Sequence, residues 1–121
     1  MPSVRAIRGA NQASENTAPA IAAATKELLA EIISANGLSL DDFISVIFTV
    51  SPDLNAAFPA SSARELGFVD IPLICAVEIG VPDSLDRTIR IMAHVESERK
   101  RTEIAHIYLG GAKVLRRDIA Q

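Results

Sequence analysis

The residues of this chain best suited to chemistry are three arginines in or at the end of predicted strands, Arg8, Arg90 and Arg116. One glutamate, Glu78, and one tyrosine, Tyr108, stand in similar settings. Guanidinium groups bind carboxylates through paired hydrogen bonds, and a glutamate accepts a hydrogen bond from a hydroxyl. The set therefore indicates a site for a small polyanion that carries a hydroxyl. It contains no obvious general base, so an enzyme built on it would work by binding and electrostatics.

Taken singly, these residues also have simpler explanations. Arg8 could protect an edge strand against aggregation. Arg90 could lie on a wet sheet surface, and Glu78 could mark the point where a buried strand reaches water. The order and spacing of the whole set must therefore carry any functional argument.

Other kinds of site chemistry have less support in the sequence. His94 and His106 have no metal-type spacing with each other or with Cys75, and we interpret both histidines as structural. The chain has neither a glycine-rich phosphate loop nor a nucleophile elbow. We therefore expect no metal and no cofactor.

Length and composition predict a single domain over residues 1–121, with more apolar surface than its own core can bury. The chain has 121 residues, 49% of them hydrophobic, and no tryptophan. So high an apolar fraction predicts contact with another copy of the chain. The net charge of −3 argues against nucleic acid or an anionic membrane as the main partner. A single cysteine and the lack of a signal-like or membrane-spanning apolar run favour a cytoplasmic protein.

Hydrophobic periodicity predicts alternating strands and helices. A helix is expected from an N-cap at Thr17 to a stop at Gly37, and a short one over residues 60–66. Residues 71–78, an apolar run that ends at Glu78, are predicted to form a central strand buried on both faces. The remaining strands are predicted over residues 4–10, 43–50, 88–96 and 104–109. Strand, helix and strand in that order indicate an α/β or α+β layer.

The order of several short motifs resembles the small, monofunctional, barrel-like chorismate mutases. These motifs are Arg8-Gly9-Ala10, Pro52-Asp53-Leu54, Phe58-Pro59-Ala60, Arg64-Glu65-Leu66, Ile71-Pro72 with Cys75 and Glu78, Ile89-Arg90, His106 to Leu109, and Val114-Leu115-Arg116. Each motif is weak alone, but their order and spacing extend from Arg5 to Asp118. The resemblance implies an α+β fold in which a mixed sheet has helices packed outside. It also implies a pseudo-α/β-barrel homotrimer with three active sites between adjacent subunits.

The reaction implied by the resemblance is the Claisen rearrangement of chorismate to prephenate, an isomerase step in phenylalanine and tyrosine biosynthesis. Carried over to this chain, Arg90 is the main catalytic group and stabilises charge on the ether oxygen. Arg8 and Tyr108 would hold the substrate carboxylates, and Glu78 with Cys75 would address the ring hydroxyl. The other substrate-binding residues implied are Phe58, Ala60, Leu73, Ile74 and Leu115 as walls, with Arg64 and Arg116 closing the site or attracting the dianion.

Two positions depart from the pattern of this family. Ser61 stands where many members have a lysine, and Ile74 stands where a threonine is common. The first removes a cation from the pocket mouth, although Arg64 could take over part of its role. Two alternatives stay open at this stage. A trimeric imine or enamine deaminase would need a water-activating group, for which Glu78 is the only candidate, and a non-catalytic trimeric ligand-binding module would need a long recognition loop.

Overall fold

The structure is a computed structural model that describes residues 1–115, so Arg116 lies outside the described residues. The strands are β1 (Ser3–Gln12), β2 (Phe43–Val50), β3 (Leu73–Val77), β4 (Thr88–Ser97) and β5 (Ile107–Tyr108). The helices are α1 (Ala18–Asn36) and α2 (Pro59–Glu65), and three short 3-10 turns span Leu40–Asp42, Arg101–Glu103 and Gly110–Val114.

The five described strands form one mixed sheet in the order β3-β2-β4-β1-β5. Strand β4 is central and pairs antiparallel with both β1 and β2, whereas β3 lies parallel to β2 and β5 lies parallel to β1. The predicted α+β fold with a mixed sheet is thereby confirmed. Neither helix within residues 1–115 combines the length and the apolar character that crossing a bilayer requires.

Both helices pack on the same face of the sheet, as the shared core shows. Leu28, Leu29 and Ile32 of α1 are fully buried in one cluster with Ile7 of β1 and with Ala60 of α2. Full burial of a leucine or isoleucine contributes about 1.5–3 kcal/mol, so this layer holds the sheet in place. Neither α1 nor α2 packs on the opposite face, which is called the open face below.

Helix α1 forms where its sequence predicted. The Thr17 hydroxyl accepts a hydrogen bond from the backbone N–H of Ala20, and Gly37 ends the helix with a left-handed φ of 60°. Thr25 lies in the apolar stripe because its hydroxyl donates to the carbonyl of Ile21, at 2.7 Å. That bond satisfies the hydroxyl inside the core.

Gly9 allows α1, β1 and β5 to approach one another closely. A Cβ at this position would lie 3.0 Å from the carbonyl oxygen of Ile107 and 3.1 Å from side-chain carbons of Leu28 and Ile32. Such contacts are tighter than a well-packed core accepts, so a larger residue would push β5 or the helix away. The neighbouring Arg8 therefore stands on a backbone whose position is fixed by packing.

Two of the predicted strands differ from the structure. The strand predicted over residues 71–78 spans only Leu73–Val77 and is not buried on both faces: Ile74 on its open face and Val77 on its helix side are 60% and 69% exposed. The strand predicted over residues 104–109 is reduced to Ile107–Tyr108. Ala105, two residues before it, instead donates its backbone N–H to the side chain of Asn36, at 2.8 Å.

Candidate active site

Four of the residues singled out from the sequence line one cavity of ≈ 220 Å3 on the open face. They are Arg8, Glu78, Arg90 and Tyr108. Each comes from a different part of the fold: β1, the residue after β3, β4 and β5. The remaining walls are Gly9, Ile47, Thr49, Ile91 and Met92. We call this the active-site cavity.

Strand register explains why Arg90 and Glu78 meet. Arg90 lies opposite Thr49 of β2 and opposite Ala10 of β1, so its side chain stands on the open face. The backbone N–H of Glu78 continues the β2–β3 ladder by donating to the carbonyl of Val50, at 2.8 Å. These pairings place the Glu78 carboxylate beside Thr49 and Arg90.

The Glu78 carboxylate is held from two sides. The Thr49 hydroxyl donates a hydrogen bond to Oε1 of Glu78 at 2.8 Å, and Nε of Arg90 lies 3.9 Å from the same oxygen. The side chains of Arg90 and Glu78 are 33% and 36% exposed, so the pair is partly solvated. A contact at that distance leaves most of the guanidinium donors of Arg90 for an anionic ligand.

Arg8 enters the cavity from β1, where it lies opposite Met92. Within residues 1–115 its guanidinium group forms no ion pair and no side-chain hydrogen bond. Its backbone N–H donates to Nδ1 of His106 at 3.0 Å, so His106 extends the pairing of β1 and β5 by one residue. Burial lowers the pKa of His106, which favours the neutral imidazole that this bond requires.

Tyr108 is 2% exposed and packs against Ala10 and Ala112. Leu115, another predicted wall, is half-buried against the same small cluster. The pairing of Ala10 with Tyr108 across β1 and β5 fixes the ring at the edge of the active-site cavity. This cavity can bind anionic groups through its arginines and a hydroxyl through Glu78.

The other predicted site residues within residues 1–115 do not line this cavity. Phe58 and Cys75 line a second cavity of ≈ 370 Å3, together with the apolar residues Val50, Leu54 and Val77. Phe58 is 70% exposed and extended before Pro59, as the sequence predicted. Cys75 lies opposite the buried Phe48, so it points to the helix side, whereas Glu78 lies on the open face.

The expectation that Cys75 and Glu78 address one hydroxyl is therefore not met by a single subunit. Of the remaining residues, Ala60 is buried in the core and Leu73 packs against it. Ile74 is exposed beside Ile47 on the open face, and Arg64 is exposed on α2.

Thr49 is a contributor that the sequence reasoning missed. It is a polar residue in an open-face position of β2, where Ile47 precedes it by two residues. That alternation was a usable signal, but only the register shows that Thr49 faces Arg90 and Glu78. Within residues 1–115, no cluster of three or more His, Cys, Asp or Glu side chains could hold a metal ion.

Comparison with known proteins gives a consistent result. A sequence model of the family chorismate mutase type I matches residues 4–119. The chain is 44% identical over 117 residues to chorismate mutase AroH of Thermus thermophilus, covering 96% of both chains. It is 36% identical over 118 residues to chorismate mutase AroH of Bacillus subtilis, covering 97% of this chain and 93% of that protein.

A solved structure agrees with these sequence relatives. It is a chorismate mutase from Clostridium thermocellum, which superposes with a TM-score of 0.89 at 52% sequence identity. The match covers 90% of this chain and 97% of that one. Fold and sequence therefore point to the same family.

Proposed function

The chain belongs to the type I chorismate mutase family and isomerises chorismate to prephenate, and from this premise we propose which of its residues do the work. The reaction is unimolecular: an ether C–O bond breaks while a C–C bond forms, with no proton transfer and no covalent intermediate. A site with two arginines and no general base suits it. The rate must come from holding the reactive shape of the substrate and stabilising its developing charge.

Arg90 is the proposed catalytic group. Negative charge grows on the ether oxygen as its bond to carbon breaks, and a guanidinium donor already in place stabilises that charge without reorganising. The observation that carries the assignment is the position of Arg90, which lies within β4 on the open face, with the Glu78 carboxylate no closer than 3.9 Å. Its remaining donors face the active-site cavity.

Arg8, Tyr108 and Glu78 are the proposed binding groups. Arg8 has a guanidinium without an internal acceptor among the described residues and lines the cavity next to Arg90, so it can take a substrate carboxylate. Tyr108 lines the same cavity at the end of β5. Glu78 keeps an oxygen for the ring hydroxyl, because Thr49 donates to only one of the two.

We further propose that a neighbouring subunit completes each site in a homotrimer. The cavity with Phe58 and Cys75 is open and apolar, and it lies away from the active-site cavity of the same chain. Several apolar side chains of β3 and of the residues after it are exposed, with Ile74 at 60%, Val77 at 69% and Ile79 at 78%. When one subunit packs its β3 side against the open face of the next, the two half-sites close over one substrate.

This arrangement can be tested by mixing two inactive variants. Arg90→Ala removes the catalytic group from one half-site, and Phe58→Asp places a carboxylate against the dianion in the other. Co-expression with two different tags and purification through both gives mixed trimers. Each trimer that carries both tags has one cleft in three with both intact half-sites, so activity should return to about a third of the wild-type level.

The outcomes of this experiment are distinct. Activity in the mixture that neither parent shows supports a site shared between subunits. No recovery from folded, mixed assemblies would place all the site residues within one chain. If no assembly carries both tags, the proposed homotrimer is contradicted.

The pathway and the compartment belong to the same proposal. Prephenate is expected to feed phenylalanine and tyrosine synthesis, and a cytoplasmic location is expected because the one cysteine of the chain is unpaired. Chorismate disappearance, with prephenate confirmed by acid conversion to phenylpyruvate, is the direct assay. The Arg90→Lys variant is the comparison that assigns the activity to this site.

A further inference from the structure

The motif Pro52-Asp53-Leu54 resembles the family pattern, but none of its residues lines the active-site cavity. It opens the segment between β2 and α2, residues 51–58, which we call the β2–α2 loop. Leu54 is 2% exposed, and its backbone N–H donates to the carbonyl of Ser51 at 3.0 Å, so the loop starts with a well-anchored turn. In this turn, Oδ2 of Asp53 accepts the backbone N–H of Arg87 at 2.9 Å.

Arg87, the partner of Asp53, is the last residue before β4 and has a left-handed backbone with φ at 45°. That conformation is uncommon and costs energy for an arginine, so surrounding contacts must hold it. Asp53 holds the N–H of Arg87, and Ala13 donates its own N–H to the Arg87 carbonyl at 2.8 Å. Nε of Arg87 donates in turn to the carbonyl of Ala13 at 3.0 Å. The entry of the chain into β4 therefore depends on Asp53.

Ser51 holds the next residue, Thr88. The backbone N–H of Thr88 donates to Oγ of Ser51 at 2.9 Å, and the N–H of Ser51 donates to the carbonyl of Thr88 at 2.9 Å. Both residues are buried, and the Ser51 hydroxyl is also a hydrogen-bond partner of the Asp53 carboxylate. Two successive N–H groups at the start of β4 are thus accepted by one turn of the β2–α2 loop.

The start of β4 determines where Arg90 stands. Thr88 and Arg90 lie two residues apart on one strand, so their side chains share a face. Ser51 and Thr88 also line a small cavity together with Arg90 and Glu78. Val50, the residue before Ser51, accepts the N–H of Glu78 at 2.8 Å. The turn therefore adjoins both members of the Arg90–Glu78 pair.

The other end of the β2–α2 loop, next to Phe58, has a different anchor. Oδ1 of Asn16 accepts the backbone N–H groups of Asn55 and Ala56, both at 3.1 Å. Nδ2 of Asn16 donates to Oδ1 of Asn55 at 2.8 Å. Asn16 thus fixes the part of the loop that leads to Phe58, whereas the contacts of Asp53 lead to β4.

We propose that Asp53 is a positioning residue for Arg90, because it fixes the backbone at the start of the strand that carries the guanidinium. Asp53 does not line the active-site cavity, so within its own chain it acts through the backbone that it holds. This inference rests on the proposed role of Arg90. All of these contacts lie within one chain, so they persist whichever faces of the sheet the assembly covers.

Loss of this contact should affect turnover more than substrate binding. Arg8 and Tyr108, the proposed carboxylate-binding groups, belong to β1 and β5, and the pairing of those strands does not involve Asp53. A displacement of about 1 Å at a catalytic group can cost about 100-fold in rate. We therefore expect Asp53→Ala to lower kcat about tenfold or more and to change KM by less than about threefold.

The test measures kcat and KM for chorismate with the assembled Asp53→Ala and Asp53→Asn enzymes. Asparagine keeps an oxygen that can accept the Arg87 N–H, so Asp53→Asn should restore most of kcat. Asp41→Ala removes an exposed aspartate from the 3-10 turn Leu40–Asp42 and should leave kcat unchanged. Circular dichroism and light scattering select folded, assembled enzyme, so rates are compared per assembled molecule.

A double-mutant cycle identifies the residue through which Asp53 acts. In an Arg90→Lys background, Asp53→Ala should lower kcat by less than about threefold, because the group that Asp53 positions is already lost. In a Phe58→Ala background, the full loss of about tenfold or more should remain, because Phe58 belongs to the other half-site. Ser51→Ala removes the acceptor of the Thr88 N–H and should repeat this pattern, which supplies the test if Asp53→Ala does not assemble.

Unchanged kcat in assembled Asp53→Ala would overturn the positioning role. Equal losses in Asp53→Ala and Asp53→Asn would also overturn it, since the acceptor oxygen would then be irrelevant. A loss that persists in the Arg90→Lys background and vanishes in the Phe58→Ala background would assign Asp53 to the other half-site and contradict the proposal. Near-normal kcat in Arg90→Lys alone would contradict the proposed function instead, and that variant shows it without any change at Asp53.

Discussion

The hydroxyl of Thr49 donates a 2.8 Å hydrogen bond to Oε1 of Glu78, the same oxygen that lies 3.9 Å from Nε of Arg90. Thr49 and Arg90 are directly paired across β2 and β4. The threonine therefore supplies a competing contact that keeps the carboxylate from closing fully onto the guanidinium. This relationship makes Thr49 a positioning residue for Glu78.

Replacing Thr49 by Val removes that hydroxyl while keeping the branched shape. Glu78 should then move toward Arg90, and kcat/KM for chorismate should fall about tenfold, the equivalent of one hydrogen bond to a charged group. Thr49→Ser should restore most of the activity because it returns the donor. A purely structural role for Thr49 would make both variants equally active per folded molecule, with losses only in thermal stability.

Replacing Arg90 by Lys keeps the charge but loses the planar set of donors. Turnover should fall by about 100-fold to 1,000-fold, the usual effect of removing one electrostatic contact to the transition state. The far-ultraviolet circular dichroism and the mass of the assembly should stay the same, since Arg90 is only partly buried. Near-normal kcat in this variant would take Arg90 out of the central role.

Ser61 offers a test of substrate attraction. Ser61 is exposed in α2, three residues after Phe58, and Ser61→Lys adds a cation near that half-site. The KM for chorismate should fall severalfold at low salt with a smaller change in kcat, and the gain should shrink as salt is added. Ser14→Lys, an exposed change in the β1–α1 turn, is the matched control. Equal effects from both would mean that net charge alone matters.

Assembly should depend on the exposed edge of the sheet. Ile74 is 60% exposed on β3, and Ile74→Glu places a charge where we propose that a neighbouring subunit packs. Light scattering after size exclusion should show a loss of trimer and a parallel loss of activity. Val69→Glu alters a residue that is 70% exposed outside the strands, and the trimer should survive it. A monomeric wild-type protein with full activity would contradict both the proposed homotrimer and the proposed site shared between subunits.

Acid should destabilise the chain through His106. Burial lowers the pKa of His106 from its usual 6.5, so the unfolded chain takes up this proton at a higher pH than the folded chain does. Its contribution is therefore complete above the unfolded pKa and is lost as the pH falls below 6.5 toward the folded value. Denaturant unfolding at a series of pH values should show this loss.

His106→Asn should flatten that pH dependence, because an amide oxygen can accept from Arg8 without titrating. The other charged or titratable side chains that line a cavity with His106 are Arg5, Arg8, Arg101 and His94. Asp53 does not interfere with the measurement. Its burial alone would raise its pKa, but hydrogen bonds from Ser51 and Arg87 outweigh this and lower it from 3.8, so its effect appears only in stronger acid. An unchanged slope in His106→Asn would assign the acid loss to another group.

The sequence was sufficient for the elements whose periodicity is set by one buried face. Strand β2 has the predicted bounds of residues 43–50, and α1 has its predicted cap and stop, because apolar spacing and capping act locally. The β3 prediction was wrong in its burial. A run of apolar residues has the same pattern whether its own chain or a second subunit covers it. The position of β3 at the edge of the sheet therefore had to come from the structure.

The candidate site was also predictable from the sequence only in part. The types of Arg8, Arg90, Glu78 and Tyr108 suggested anion binding, and the family resemblance suggested their roles. Their meeting at one cavity depends on strand register, to which residues far apart in the chain contribute. The separation of Cys75 from Glu78 depends on which side of β3 each residue faces, and no local pattern at the end of a strand determines that.

The bare edge of β3 has a consequence for how the enzyme would behave in dilute solution. Because the proposed trimer is what covers its apolar side chains, the specific activity should fall as the protein is diluted below the dissociation constant of that assembly. The unpaired edge is also a template for adventitious strand pairing during synthesis, before partners are found. The amount of this enzyme in a cell would then set both how much catalyst is present and what fraction of it works.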